Sequence, residues 1–322
     1  MTDRLKLDGE RFLPWEQNPI NNYEHLHRYR FAKEFVTGKR VLDLACGEGY
    51  GSALLAEAAE KVVGIDIDET AIQHASAKYV KDNLEFIKSS MVQIAIAEGK
   101  LFDVIVCFEA LEHIGEHDEL VAEVRRLLKD NGVFIVSTPN KYSHSDQGYY
   151  CKNLWHKKEL YIDEFETLLS ANFKYHVTFG QRVYLSSNIF PLRNICSALR
   201  EYVIEERKDR FVFVPPEKKE PLYYIGICSN LPLQEIFASY LIDVTEESYK
   251  NLAVISRIQN SSILKAISNY YTMRDRIFQP GTKRAHFAKL IWGIIKRIRL
   301  ISKRIFNLSS DRSSRRKVTS HR

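Results

Sequence analysis

No stretch of the 322 residues approaches the roughly 20 apolar positions that a helix needs to cross a bilayer. The longest candidate, Leu290 to Ile295, is closed on both sides by Lys289 and Lys296. The opening residues, Met1-Thr-Asp-Arg-Leu-Lys-Leu-Asp8, lack the apolar core of a secretory signal, so the expected location is the cytoplasm. Cysteine is scarce and scattered: Cys46, Cys107, Cys151, Cys196 and Cys228, with no Cys-x-x-Cys pair. That pattern argues against a disulfide frame or a zinc cluster and predicts reduced core thiols. What is present is ordinary globular chemistry, 45% hydrophobic and 27% charged, which excludes a wholly disordered chain.

The net charge of +6 hides an asymmetry. Residues 281–322 hold 13 of the 47 Lys+Arg and one of the 41 acids, a local balance of +12 that leaves −6 for the rest. A mildly acidic body carrying a basic tail predicts a boundary near Pro280-Gly281 and an anionic partner for the tail.

Strand and helix alternate along the body. Helical spacing runs from Glu24 to Val36, with Leu26, Tyr29 and Phe35 on one face. Lys39–Ala45 reads as a strand, Ser52–Ala59 as a small-residue helix, Lys61–Ile67 as a strand and Glu69–Tyr79 as a helix. Leu84–Ile87 is a short strand, and Phe102–Phe108 an apolar run suited to a strand buried on both faces. His117–Leu128 follows as a helix that Asp130-Asn-Gly132 ends, and Gly132–Thr138 as a strand. The pattern predicts an α/β fold with a doubly wound, mostly parallel sheet. Beyond Pro139 the expected elements are a helix at 156–169, a strand at 175–179, a helix at 189–208 and a last strand at 222–228. The two late strands suit an antiparallel edge pair, and residues 233–275 read as helical.

The first chemistry lies in Val41-Leu-Asp43-Leu-Ala-Cys-Gly47-Glu-Gly49-Tyr-Gly51. A glycine-rich turn between strand and helix lets a ligand approach the backbone closely. The spacing is not the Gly-x-Gly-x-x-Gly of dinucleotide sites, and the acid Asp43 before it would repel a phosphate. Asp66 ends the second strand, where a carboxylate can accept both hydroxyls of a ribose. A cationic nucleoside without phosphates fits both acids, and S-adenosylmethionine is such a molecule.

These residues resemble the seven-stranded class I S-adenosylmethionine-dependent methyltransferases over about residues 23–180. Four motifs in order carry the likeness: the glycine loop, Val62-Val-Gly-Ile-Asp66, Phe102-Asp-Val-Ile-Val-Cys-Phe108-Glu109-Ala-Leu-Glu112-His113, and Val124-Arg-Arg-Leu-Leu-Lys-Asp-Asn-Gly132. The resemblance implies a Rossmann-like sheet, Gly47 and Gly49 under the methionine portion of the cofactor, and Asp66 on its ribose. Ile67, Ser90, Met91 and Phe108 join the implied cofactor-binding set. Arg28 matches an arginine that pairs with the cofactor carboxylate in ubiquinone-pathway relatives. One departure stands out: Lys88-Ser-Ser-Met-Val-Gln93 lacks the acid that usually accepts the adenine amino group, leaving Ser90 or the backbone for that contact.

An alcohol acceptor needs a base near its proton. Glu109, Glu112, His113, His144 and His156 follow strands four and five, at the strand ends where open parallel sheets bind ligands. His113 and His117 form His-x-x-x-His without a third regularly spaced ligand, so no metal site is expected, although some sugar methyltransferases use magnesium. The stretch from Ser137 to Phe165 is similar to bacterial surface-polysaccharide and glycan methyltransferases. Tyr142, Tyr149, Tyr150 and Trp155 suit sugar stacking or packing of the loop on the sheet. The leading acceptor is therefore a sugar or polysaccharide precursor. A quinone-like or other lipophilic small molecule, or a silent module whose tail tethers a partner, are the alternatives. Nucleic acid fits poorly, since the body is acidic and no Asn/Asp-Pro-Pro-aromatic tetrad occurs.

The tail completes the expected layout. Apolar residues from Phe287 to Ile305 recur at three- and four-residue steps, and Lys289, Lys296 and Lys303 every seven. Residues 284–306 thus read as an amphipathic helix for an anionic membrane surface, with a nucleic-acid contact or a helix that docks on the body as the other readings. The expected divisions are an N-terminal segment 1–22, a methyltransferase domain 23–230 with an insertion at about 183–220, a helical extension 231–280, and the basic helix with a disordered tail at 281–322.

Overall fold

The computed structural model describes residues 19–147, 153, 155–184, 186–187, 201–207 and 210–244. The chain forms two units, 1–241 and 242–322, and every element below lies in the first. In chain order these are α1 (Pro19–Ala32), β1 (Arg40–Leu44), α2 (Tyr50–Leu55), β2 (Lys61–Asp66), α3 (Glu69–Lys78), β3 (Leu84–Lys88), β4 (Phe102–Phe108), α4 (His117–Leu127), β5 (Leu128–Pro139), α5 (Ile162–Asn172), β6 (Tyr175–Gln181), β7 (Val203–Arg207), β8 (Arg210–Val214) and β9 (Tyr223–Ser229).

Seven strands make one sheet in the order β3-β2-β1-β4-β5-β9-β6. The first five run parallel, while β9 pairs antiparallel with both β5 and β6. This is the expected doubly wound sheet with its antiparallel pair. From β1 the chain proceeds outward to β3 and then returns to β4 on the other side. The reversal opens a crevice beyond the carboxyl ends of β1 and β4.

Alternation along the strands builds a core on each face. Leu42, Leu44, Ile65, Ile105, Phe134 and Val136 meet α4 and α5 through Leu120, Val124, Phe165 and Leu169. Val41, Val62, Val104, Val106, Ile135 and Ile227 meet α1 and α2 through Tyr29, Ala32 and Leu55. Asp43 shares the parity of Val41, so it points under α1 and α2. Cys46, Cys107 and Cys228 are buried and free, as expected; Cys151 and Cys196 lie outside the described residues.

Several boundaries differ from expectation. Leu26 does not share the buried face of Tyr29; it is exposed, and Arg28 and Phe31 are enclosed instead. Asp130–Gly132 is not a stop but the start of β5, because Leu128 already pairs with Phe102. The helix expected from His156 begins at Ile162, where the Glu164 carboxylate accepts the Tyr161 N–H at 2.9 Å. The end of the helix expected at 189–208 is a strand: Val203–Arg207 pairs antiparallel with Arg210–Val214, where β-branched Val203 and Ile204 favour extended backbone. Residues 231–244 contain no helix. The remainder of the expected extension and the basic tail lie outside the described residues, as do Tyr149 and Tyr150. Among the described residues no helix is long and apolar enough to cross a membrane.

Candidate functional site

The crevice is floored by the β1–α2 turn. Ala45, Gly47 and Gly49 all have positive φ (55°, 56° and 92°), which folds the chain tightly back toward α2. Gly47 is tied to the neighbouring strand, since its N–H donates to Asp66 Oδ2 at 2.9 Å. Asp66 Oδ1 accepts the Asp68 N–H at 2.9 Å. Each carboxylate oxygen therefore keeps a lone pair for a further donor, as two ribose hydroxyls require. Ile67 follows with 71% exposure and offers an apolar face beside that carboxylate.

Glu48, between the glycines, was not singled out by the sequence. It is buried and accepts from Lys78 (2.5 Å) and Tyr79 (2.8 Å) of the α3 end. Its two spacers look like filler in the motif, and nothing in the sequence marks contacts 30 residues away. Gly49 is needed for packing as well as φ: a Cβ there would lie 2.7 Å from Ala75 and 2.9 Å from Phe86.

Arg28 enters from α1. Its side chain is buried, and Nη1 donates to Gln181 Oε1 at 2.7 Å and lies 3.8 Å from Glu109 Oε1. The guanidinium stacks over Tyr223 at 4.8 Å. Its Nε and Nη2 are buried without a hydrogen-bond partner among the described residues. An orphaned pair of donors on a charged fork is the complement of a carboxylate. The residues present thus fit an α-amino acid end near Arg28 and a ribose at Asp66.

Two expected cofactor contacts need correction. Asp43 is fully enclosed; its carboxylate accepts Tyr29 Oη at 3.1 Å and Ser52 Oγ at 2.6 Å, so it supports the loop from below and does not face a ligand. Burial pushes its carboxyl up to about 7, against the opposing hydrogen bonds of Ser52 and Tyr29. Phe108 is a core residue, 6% exposed, with its ring edge-on to Tyr29 at 5.0 Å. Strand alternation sends both toward α1. After β3, Ser90 Oγ accepts the Val92 N–H at 3.3 Å, and Met91 packs partly on the core.

The acids and histidines gather at the ends of β4 and β5. Glu109 adopts φ of 51°, a strained conformation for a side-chain-bearing residue, and accepts Ser137 Oγ at 2.6 Å. Glu112 is buried and accepts Thr138 Oγ1 at 3.2 Å. Burial first, and then the nearby Glu109 charge, raise its carboxyl well above the usual range. His113 is 31% exposed, with Nδ1 at 3.3 Å from the Trp155 carbonyl and Nε2 at 3.9 Å from Glu112. Its ring lies edge-on to His156 at 5.1 Å, and His156 stacks on His144 at 5.4 Å. His117 is not part of the group, because its Nε2 contacts the Leu111 carbonyl at 3.0 Å inside the fold. Sequence reasoning missed Glu159, which meets His156 Nδ1 at 2.5 Å. The i,i+3 spacing from His156 was the available signal.

A sheet with its crevice at the β1/β4 reversal, glycines at positive φ, a strand-end acid and a buried guanidinium with two donors unpaired among the described residues fit a nucleoside-binding α/β domain. Comparisons narrow the class. Residues 36–182 match the family described as Methyltransferase domain. Two probable S-adenosylmethionine-dependent methyltransferases of Mycobacterium tuberculosis are 34% identical over 168 residues, 51% of this chain and 60% of theirs. One of Mycolicibacterium smegmatis is 34% identical over 179 residues, covering 55% of this chain and 68% of that protein. The ubiquinone biosynthesis O-methyltransferase of Pasteurella multocida is 35% identical over 117 residues, 33% of this chain and 48% of that one. The chain belongs to the S-adenosylmethionine-dependent methyltransferases. It spans 60% of the length of the two Mycobacterium tuberculosis relatives.

Proposed function

We propose that this chain methylates a hydroxyl of a sugar or surface-polysaccharide precursor, with S-adenosylmethionine as methyl donor. The observation that carries the cofactor part is the pair of buried Arg28 donors, Nε and Nη2, without a partner among the described residues, together with the Asp66 carboxylate tied to the glycine turn. When bound, the cofactor supplies a methyl group already activated on a sulfonium, so alignment accounts for much of the rate.

The chain's own residues then have defined tasks. Arg28 would hold a carboxylate, Asp66 the ribose hydroxyls, and Ile67 one face of the base. His113 is the candidate base. Its Nδ1 faces a carbonyl oxygen, which favours the tautomer with the proton on Nδ1 and the basic lone pair on Nε2. Burial and the Glu109 charge raise the carboxyl of Glu112 beside it well above the usual range, which favours the protonated form of that acid. Trp155, 60% exposed and joined to His113 through its carbonyl, offers a flat surface for a sugar ring.

A quinone-like acceptor is the second reading, favoured by the Glu109-x-x-Glu112-His113 run and by the ubiquinone O-methyltransferase among the relatives. Labelled-methyl transfer to sugar nucleotides and lipid-linked glycans, run beside quinols, separates the two. Label in the quinols alone overturns the sugar reading. Residues 284–306 would bring the enzyme to an anionic membrane surface; equal liposome flotation of the full chain and of a chain cut at Pro280 removes that part.

A further inference from the structure

The chain that leaves β5 turns back on itself. Tyr142–Asp146 forms a short π-helical turn that directs His144 inward, and the His144 N–H bonds the Asn140 carbonyl at 2.8 Å. The Asn140 side chain donates to Ser143 Oγ at 3.0 Å and to the Pro221 carbonyl at 2.9 Å. Asn140 also forms a parallel bridge with Leu160, and the Lys141 N–H donates to the Leu160 carbonyl at 3.1 Å. Backbone pairing therefore fixes the segment bearing His144 against the one bearing His156 and Glu159.

The result is a preformed donor set. One ligand atom each from His144, His156 and Glu159 lie within 4.8 Å of one another. Their side chains are only 9%, 9% and 8% exposed. The Nδ1 atoms of His156 and His144 both approach Glu159 Oε1, at 2.5 and 3.3 Å. Zinc bonds of about 2.0–2.1 Å in a tetrahedron place ligand atoms about 3.3 Å apart, so the His144 pair already has that separation and the His156 pair needs a small opening.

We propose that His144, His156 and Glu159 bind one divalent transition-metal ion. Two imidazoles and a carboxylate suit zinc or iron(II) more than magnesium or calcium, which prefer all-oxygen shells. Three protein ligands leave a position for water or an acceptor oxygen, as in catalytic zinc sites. The site is distinct from the His113/His117 spacing in the sequence, and the inference does not depend on the methyl-transfer reading.

The full-length protein, stripped with a chelator and desalted, is titrated with Zn²⁺ against a chromophoric competitor. The expected result is one tightly bound equivalent. Glu159→Gln and His144→Asn should each weaken it by more than about 100-fold, beyond the 10- to 100-fold that loss of a supporting group costs. His113→Asn should retain zinc. The proposal is overturned if the wild-type chain takes up no zinc at micromolar concentration, if both ligand variants bind as tightly as wild type, or if only His113→Asn loses the ion. A Co²⁺ titration of the wild-type chain serves where a variant misfolds: visible d–d bands with histidine ligation support the site, and a featureless spectrum counts against it.

Discussion

Arg28 Nη1 donates to Gln181 Oε1 at 2.7 Å, and the amide nitrogen of the same Gln181 donates to the Glu24 carbonyl at 2.9 Å. One residue at the end of edge strand β6 thereby fixes both the guanidinium and the helix that carries it. Tyr223 adds a third tie, donating to Glu24 Oε2 at 3.0 Å while its ring lies under the guanidinium. The part of α1 that carries Arg28 is thus held by residues more than 150 positions away, on β6 and β9.

The arginine's task can be isolated with two ligands. Arg28→Met should weaken S-adenosylhomocysteine binding by about 1.5–3 kcal/mol, the usual size of charge-assisted hydrogen bonds. It should leave 5′-methylthioadenosine, which has the nucleoside but no carboxylate, nearly unaffected. Calorimetric titration of both ligands on one preparation cancels any general loosening of the fold. Equal losses for the two would show that Arg28 does not meet the carboxylate.

Asp66→Ala should behave in the opposite way. Both ligands carry the ribose, so both should lose about 1.5–3 kcal/mol through the missing charge-assisted bonds. Part of any loss reflects the freed Gly47 N–H, so Asp66→Asn, which keeps one acceptor for that amide, should fall between. A variant that still binds 5′-methylthioadenosine like wild type would remove the ribose role.

The loop's sensitivity to added bulk has a definite source. A Cβ at Gly51 would lie 2.0 Å from the Tyr29 ring, and that ring is boxed in by Phe108, Tyr50 and its bond to Asp43. A rigid aromatic cannot give way as a flexible chain would. Gly51→Ala should destabilise the protein by about 1–3 kcal/mol, the range for overpacked cores. An unchanged Tm would show that Tyr29 relocates easily.

How much of this was legible beforehand depended on range. β1, β2 and β4 declared themselves as short apolar runs bounded by glycine or acid, and Gly47, Gly49 and Asp66 followed from their ends. The enclosure of Asp43 and Phe108 was also implicit in strand parity, once α1 is known to cover the Val41 face. Glu48 and Gln181 act through partners that only the fold brings near, whereas Glu159 stands three residues from His156, a spacing equally common in a solvated turn. Val203–Arg207 misled because two apolar residues followed by three charged ones show neither period clearly over so short a span.

Asp43 ties stability to pH. Its carboxyl sits at about 7 in the folded chain against an ordinary 3.8, so the folded state holds the proton more tightly. Below about pH 4 both states are protonated and the group makes no difference. As pH rises from 4 toward 7 the unfolded chain ionises first, folding takes up a proton, and stability falls by roughly 1 kcal/mol per unit. Above 7 the loss is complete. Urea denaturation at pH 5 to 8 should show this decline in wild type and a flatter profile in Asp43→Asn. Parallel profiles would mean that Asp43 is ionised in both states.

The proposed reaction gives Glu112 and His113 different tasks at the β4 end, which two substitutions separate. Burial and the neighbouring Glu109 favour the protonated form of Glu112, which an amide resembles, so Glu112→Gln should fold normally and keep most turnover if His113 is the base. His113→Ala should cut kcat by about 10²–10⁴-fold, the range for a general base, with S-adenosylhomocysteine affinity preserved. The pairing matters because the two residues are adjacent and either alone is a plausible proton acceptor. If Glu112→Gln is the variant that collapses kcat while His113→Ala retains it, the acid works ionised. His113 would then be the group that positions it, across the 3.9 Å between Nε2 and Oε1.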